Sequence, residues 1–141
     1  QKDYQQATLI KRLVADLNLG VTIDVRPTIR EEDGLAMSSR NRYLSPDDRR
    51  AATILYRALQ AGRQAIGEGT GAASTVERIM RKTVAQEPTA LIEYLALCDP
   101  ASLEPLKQVE GRALLLGAIR IGKVRLIDNV AVTTSSRTRR A

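Results

Sequence analysis

Apolar positions along this chain change their period several times, and each change marks an element. Leu9, Ile10, Leu13, Val14 and Leu17 recur at the spacing of one helix face, with Gly20 following as a stop. Val21-Thr22-Ile23-Asp24-Val25 is short and β-branched, which predicts a strand ending before Pro27. A helix followed by a strand is a piece of an α/β unit, and one such unit cannot build a sheet unaided. The pattern therefore predicts that the chain begins inside a longer protein, as does a first residue that is Gln1 rather than Met. Between residues 33 and 44 periodicity lapses. Ser45-Pro46-Asp47-Asp48 then has the makings of a helix start, with a hydroxyl cap, a proline suited to the first turn and acids that complement the helix dipole. Ile54, Leu55, Ala58, Leu59, Ala65 and Ile66 continue as one apolar face.

Gly67, Gly69 and Gly71 interrupt the pattern. They fall between two helices rather than after a strand, so they read as a flexible connection and not as a phosphate cradle. Ser74 is placed to cap a third helix with the face Val76, Ile79, Met80 and Val84, closed by Pro88. Three β-rich segments follow, over about 91–98, 112–120 and 123–129, the last two joined through Ile121-Gly122-Lys123 as a hairpin. Helices first and a small antiparallel sheet second predict an α+β fold.

Composition narrows the function classes. The 141 residues are 43% hydrophobic, enough for a core, and no apolar run approaches the length needed to span a bilayer. The polar start Gln1-Lys2-Asp3-Tyr4 lacks the hydrophobic region of a secretory signal. Cys98 is the single cysteine, set among Leu95, Ala96 and Leu97, which predicts a buried thiol and a reducing, cytoplasmic setting. Histidine is absent, which removes His metal sites, His general bases and Ser-His-Asp triads; no metal ligands are predicted. The net charge of +6 fits an anionic partner. Part of that excess lies in Arg137, Arg139 and Arg140, within residues 134–141, which read as a disordered basic tail rather than a nucleic-acid arm. With only 3% aromatics, the interleaved basic and aromatic pattern of single-strand binders is missing.

Two segments carry candidate chemistry. Asp33-Gly34-Leu35-Ala36-Met37-Ser38-Ser39-Arg40-Asn41-Arg42-Tyr43-Leu44 sets two hydroxyls and an arginine on a glycine-hinged loop, the donors a phosphate needs. An ordinary polar connection would also accommodate these residues. At the N-terminus, Lys2-Asp3-Tyr4-Gln5-Gln6 gathers a cation, an anion and two amides at a helix start, where anions are favoured. A helix capped by Asp3, with its glutamines facing water, explains the same residues.

Considered together, Gln-Lys-Asp-Tyr-Gln-Gln at residues 1–6 and Asp-Gly-Leu-Ala-Met-Ser-Ser-Arg-Asn at 33–41 resemble the pantothenate synthetase (pantoate–β-alanine ligase) family. The similarity continues through Tyr43-Leu44, Ile92-Glu93-Tyr94-Leu95, Asp99-Pro100-Ala101-Ser102-Leu103-Glu104-Pro105 and Arg125-Leu126-Ile127-Asp128-Asn129. The resemblance implies an ATP-dependent ligase that joins pantoate to β-alanine through pantoyl adenylate, with Mg2+ carried by the ATP. It implies that Lys2 contacts ATP phosphates, Asp3 the ribose and Gln6 the pantoate and incoming β-alanine. Pro27, Ile29 and Met37 would line the adenine pocket, and Ser38, Ser39 and Arg40 would form the phosphate loop. Lys2, Ser38, Ser39 and Arg40 are then the catalytic set.

The family's His-x-Gly-His signature cannot lie in a chain without histidine. The resemblance thus divides this sequence into residues 1–28, the end of a Rossmann-like nucleotide-binding domain, residues 29–133, a C-terminal lid domain, and the 134–141 tail. It implies a parent that dimerises through the other half, a fragment that is monomeric and inactive alone, and no nucleic-acid or membrane partner. Three other readings compete: a related nucleotidyl-transferring enzyme, a basic nucleic-acid-binding module, and an inert structural fragment.

Overall fold

A computed structural model describes residues 2–134, so the expected tail at 134–141 lies almost wholly outside the described residues. Four helices precede a three-stranded sheet: α1 Tyr4–Asp16, α2 Pro46–Ala51, α3 Ile54–Gly67, α4 Ala73–Val84, β1 Ala90–Cys98, β2 Arg112–Ile121 and β3 Val124–Thr133. The fold is α+β. The sheet is antiparallel throughout, in the order β1-β2-β3, and a 3₁₀ turn covers Ser39–Tyr43.

The β2–β3 hairpin closes over Gly122 and Lys123, with Ile121 facing Val124. Gly122 takes a φ of 58°, the left-handed conformation that such a two-residue turn asks of its first position. Residues 113, 115, 119 and 121 of β2 face α3 and α4 and join the main core with Ile54, Leu59, Val76 and Met80. Close approach of α3 to the sheet depends on Gly117, where a Cβ would fall 2.6 Å from Leu55 Cδ1. Leu114 and Leu116 face the other way and form a smaller cluster with Cys98, Tyr4, Tyr94 and Leu103. Burial pushes the Cys98 thiol above its ordinary pKa, with the Asp99 carboxylate adding to the effect.

Several expectations are corrected. Residues 21–25 form no strand, because no sheet edge among the described residues lies beside them to take their backbone hydrogen bonds. The first helix ends with Asn18 in the left-handed conformation, φ 50°, so Asn18 and not Gly20 makes the stop. The helix expected from Ser45 onward is two helices. At the break the Thr53 hydroxyl donates to the Arg50 carbonyl at 3.0 Å, a local bond that competes with the helix ladder. Ser45 caps as expected, accepting from Asp48 N–H at 3.1 Å, whereas α4 starts from Ala72 with no side-chain cap, and Ser74 sits inside its first turn.

Candidate active site

The site is organised by two adjacent residues of β3, Asp128 and Asn129. Asp128 is 4% exposed, and a buried carboxylate is stable only when paired. Arg30 supplies the pair through both prongs of its guanidinium, Nη1 to Oδ2 at 2.6 Å and Nη2 to Oδ1 at 2.9 Å. Burial opposes the Arg30 charge, but the Asp128 carboxylate outweighs it and holds the guanidinium pKa above its ordinary value. The same guanidinium donates to the Gly34 and Asn129 carbonyls and lies 4.4 Å from the centre of the Tyr56 ring.

Arg30 thereby anchors a small hairpin that carries the candidate loop. Met37 N–H donates to Ile29 C=O at 2.9 Å, Glu31 N–H to Leu35 C=O at 2.8 Å, and Arg30 bridges Ala36. Gly34 turns this hairpin at φ 92°, and a Cβ there would fall 2.1 Å from Tyr56 Cδ1. Only glycine fits.

From the opposite face of β3, Asn129 Nδ2 donates to the Lys2 carbonyl at 2.8 Å. Tyr4 fixes the start of α1 by donating its hydroxyl to the Pro100 carbonyl at 2.9 Å. Lys2 is half-buried, and burial lowers its pKa; Asp128 and Asp3 oppose that shift, while the nearby Arg40 charge adds to it. The N-terminal segment and the serine–arginine loop, 38 residues apart between Lys2 and Arg40, therefore share one electrostatic environment.

The individual residues fall as follows. Ser38 caps the 3₁₀ turn, its Oγ accepting from Arg40 N–H at 3.2 Å. Asn41 secures the turn by donating Nδ2 to the Ala36 carbonyl at 3.1 Å. Ser39 and Arg40 are exposed, and the Arg40 side chain has no hydrogen-bond or ion-pair partner among the described residues. Ile29 and Met37 are exposed and held side by side by their backbones. Asp3 caps α1, accepting from Gln6 N–H at 3.2 Å. Gln6 and Pro27 occupy exposed positions; Gln6 meets Asp3 only through its backbone N–H, and among the described residues neither side chain has a hydrogen bond to another of these residues.

Sequence reasoning did not assign roles to Arg30, Tyr56, Asp128 or Asn129. A signal was present, since Asp-Asn inside an otherwise apolar strand calls for a partner. Its identity was not readable, because Arg30 lies 98 residues away.

A half-buried ammonium, an unpaired guanidinium and two hydroxyls beside an exposed apolar pair make an environment suited to an anion with an apolar end. Among the described residues no group of three His, Cys, Asp or Glu side chains is placed to hold a metal ion. Such features define the chain as an α+β domain with a basic, hydroxyl-bearing surface turn. Residues 1–131 match the family model described as Pantoate-beta-alanine ligase. The chain belongs to that family. It is 49% identical over 132 residues to a pantothenate synthetase of Moorella thermoacetica, covering 94% of this chain and 47% of the relative. A pantothenate synthetase of Desulfovibrio desulfuricans is also 49% identical, over 92% of this chain and 46% of the relative. Among solved structures, the pantothenate synthetase of Thermus thermophilus superposes with a TM-score of 0.88 at 43% identity, over 92% of this chain and 46% of that one. The chain spans about half the length of the curated relatives it matches.

Proposed function

We propose that this chain is the C-terminal part of an ATP-dependent ligase that condenses pantoate with β-alanine in pantothenate biosynthesis. In the first step a pantoate carboxylate oxygen attacks the α-phosphorus of ATP, the bond to the β-phosphate oxygen breaks, and pyrophosphate leaves. In the second, the β-alanine nitrogen attacks the acyl carbon of pantoyl adenylate, AMP leaves, and the nitrogen gives up a proton. Adenylation is needed because a free carboxylate is a poor acyl donor, and the protein's part is positioning and stabilising phosphate charge.

Lys2 and Arg40 are the cations for the phosphates, with the Ser38 and Ser39 hydroxyls as neutral donors. Asp3 meets the ribose, Gln6 the pantoate and β-alanine, and Ile29 and Met37, with Pro27, the adenine. Mg2+ arrives with the ATP phosphates. Residues 1–28 end a Rossmann-like domain and residues 29–133 form the lid over it. The complete protein is a cytoplasmic homodimer, joined through the half this chain lacks.

The observation that carries this reading is that Lys2 and Asp128 line one pocket, with the Arg40 charge acting on the same ammonium, within a chain whose family is named for the reaction. The test is AMP release from a full-length protein containing this sequence. Release should require ATP, pantoate and β-alanine together, and the purified 141-residue chain should release none. Pantoate-independent release, or turnover by the short chain, contradicts it.

A further inference from the structure

An open cavity of about 660 Å3 lies between the 3₁₀ turn and the tip of the β2–β3 hairpin, with Arg40 and Tyr43 on one wall and Ile121, Lys123, Val124 and Arg125 on the other. Its volume falls in the range of small-ligand sites. Three of its residues are cations, and they differ in one respect. Arg125 is engaged, donating Nε to Glu93 at 2.6 Å. Arg40 and Lys123 have no side-chain hydrogen-bond or ion-pair partner among the described residues. Asp48 is the one carboxylate on the wall, and its Oδ2 stands 3.5 Å from where a Cβ on Gly122 would be. Two unengaged cations against one carboxylate leave a positive cavity, and the Gly122 turn fixes where Lys123 stands.

Order along the loop gives the cavity a direction. Met37 and the adenine end come first, then Ser38 to Arg40, and the cavity begins at Arg40 and continues to Tyr43. We propose that this cavity is a diphosphate subsite, in which Lys123 joins Arg40 in holding the β- and γ-phosphates and the departing pyrophosphate. The inference rests on the reading of Arg40 as a phosphate ligand. Lys123 belongs to no catalytic set named above. Its position on a hairpin tip, exposed to water, means that its removal leaves the core intact.

Amide chemical shifts of the 141-residue protein, titrated with pyrophosphate and separately with AMP, provide the test. Pyrophosphate should move the amides of Arg40, Tyr43 and Gly122 to Arg125 together. Lys123→Ala should weaken its binding roughly fivefold and Lys123→Glu by more, as expected for one partly exposed charge-assisted contact. AMP shifts at Ile29 and Met37 should stay as in the unaltered protein. Pyrophosphate shifts confined to residues 38–40, a Lys123→Ala affinity within about twofold of the original, or no saturable pyrophosphate binding overturns the subsite. Loss of the AMP shifts in the unaltered protein, with the pyrophosphate response intact, instead counts against the adenine reading and leaves the subsite standing.

Discussion

Asp128 shows how one side chain sets the requirements of several others. Buried in β3, it demands a cation; Arg30 answers, and the guanidinium in turn needs the Tyr56 face and the Gly34 carbonyl. Removing one partner strands the other, so Asp128→Asn should cost about 3 kcal/mol or more in urea unfolding, far beyond the typical surface substitution. It should also disturb Lys2, whose ammonium depends on the same carboxylate. Gly34→Ala should destabilise through both its φ of 92° and the Tyr56 ring, and shifted tyrosine fluorescence would report the clash.

Exposed carboxylates follow a different rule. Hydrogen bonds from Arg125 and Arg120 hold Glu93 below its ordinary pKa, a hydrogen bond from Arg49 does the same for Asp33, and the Ser102 and Ala101 N–H groups do so for Asp99. Because the unfolded chain takes up these protons first, the stabilisation is complete above the usual carboxylate range near pH 4. It is lost as pH falls through the lowered folded-state values. Unfolding midpoints measured against pH should decline on the acid side, and Glu93→Gln should make that decline shallower.

At the scale of elements, local signals and long-range partners separate cleanly. The Ser45 cap, the apolar faces of α3 and α4 and the Gly122 hairpin were legible because residues within a turn or two of each other decide them. The strand expected at 21–25 was not formed, since β-branched composition suits a strand but a sheet edge must also be present. Within the site, the serine–arginine loop was legible from its residue types, while the Arg30–Asp128 pair was not, since period and propensity carry no information across 98 residues. The corrected cap gives a direct comparison. Ser45→Ala should cost about 1 kcal/mol and Ser74→Ala no more than about 0.5 kcal/mol, both read from thermal or urea unfolding.

The α1 helix poses the opposite case, a pattern that formed its element without covering it. Leu9, Leu13 and Leu17 are 61%, 54% and 60% exposed, and no residue of α1 is buried. A short helix with an uncovered face draws little from tertiary packing. Hydrogen exchange should therefore find α1 amides far less protected than those of α3 or β2, whose side chains fill the core.

For the whole molecule, the proposed function makes these residues half of a site. The Arg30 hairpin that carries the turn to Arg40 is anchored on β3 through Asp128, while the apolar face of α1 faces outward. The relatives are about twice as long; on the proposed function, the further half covers α1 and completes the pantoate pocket. On that same proposal, turnover belongs to the complete protein, and this chain contributes the Ser38–Arg40 turn as its phosphate-binding element.

The most direct measurement is kcat/KM for pantoate-dependent AMP release by the full-length protein with Arg40→Ala. Arg40 is exposed, and its side chain has no hydrogen-bond or ion-pair partner among the described residues, so the variant should fold as before. A fall of roughly 10²–10³ is expected, the usual effect of deleting one group that stabilises transition-state charge. A value within about threefold of the unaltered enzyme, far short of that effect, would contradict a phosphate-binding role for the Ser38-Ser39-Arg40 turn.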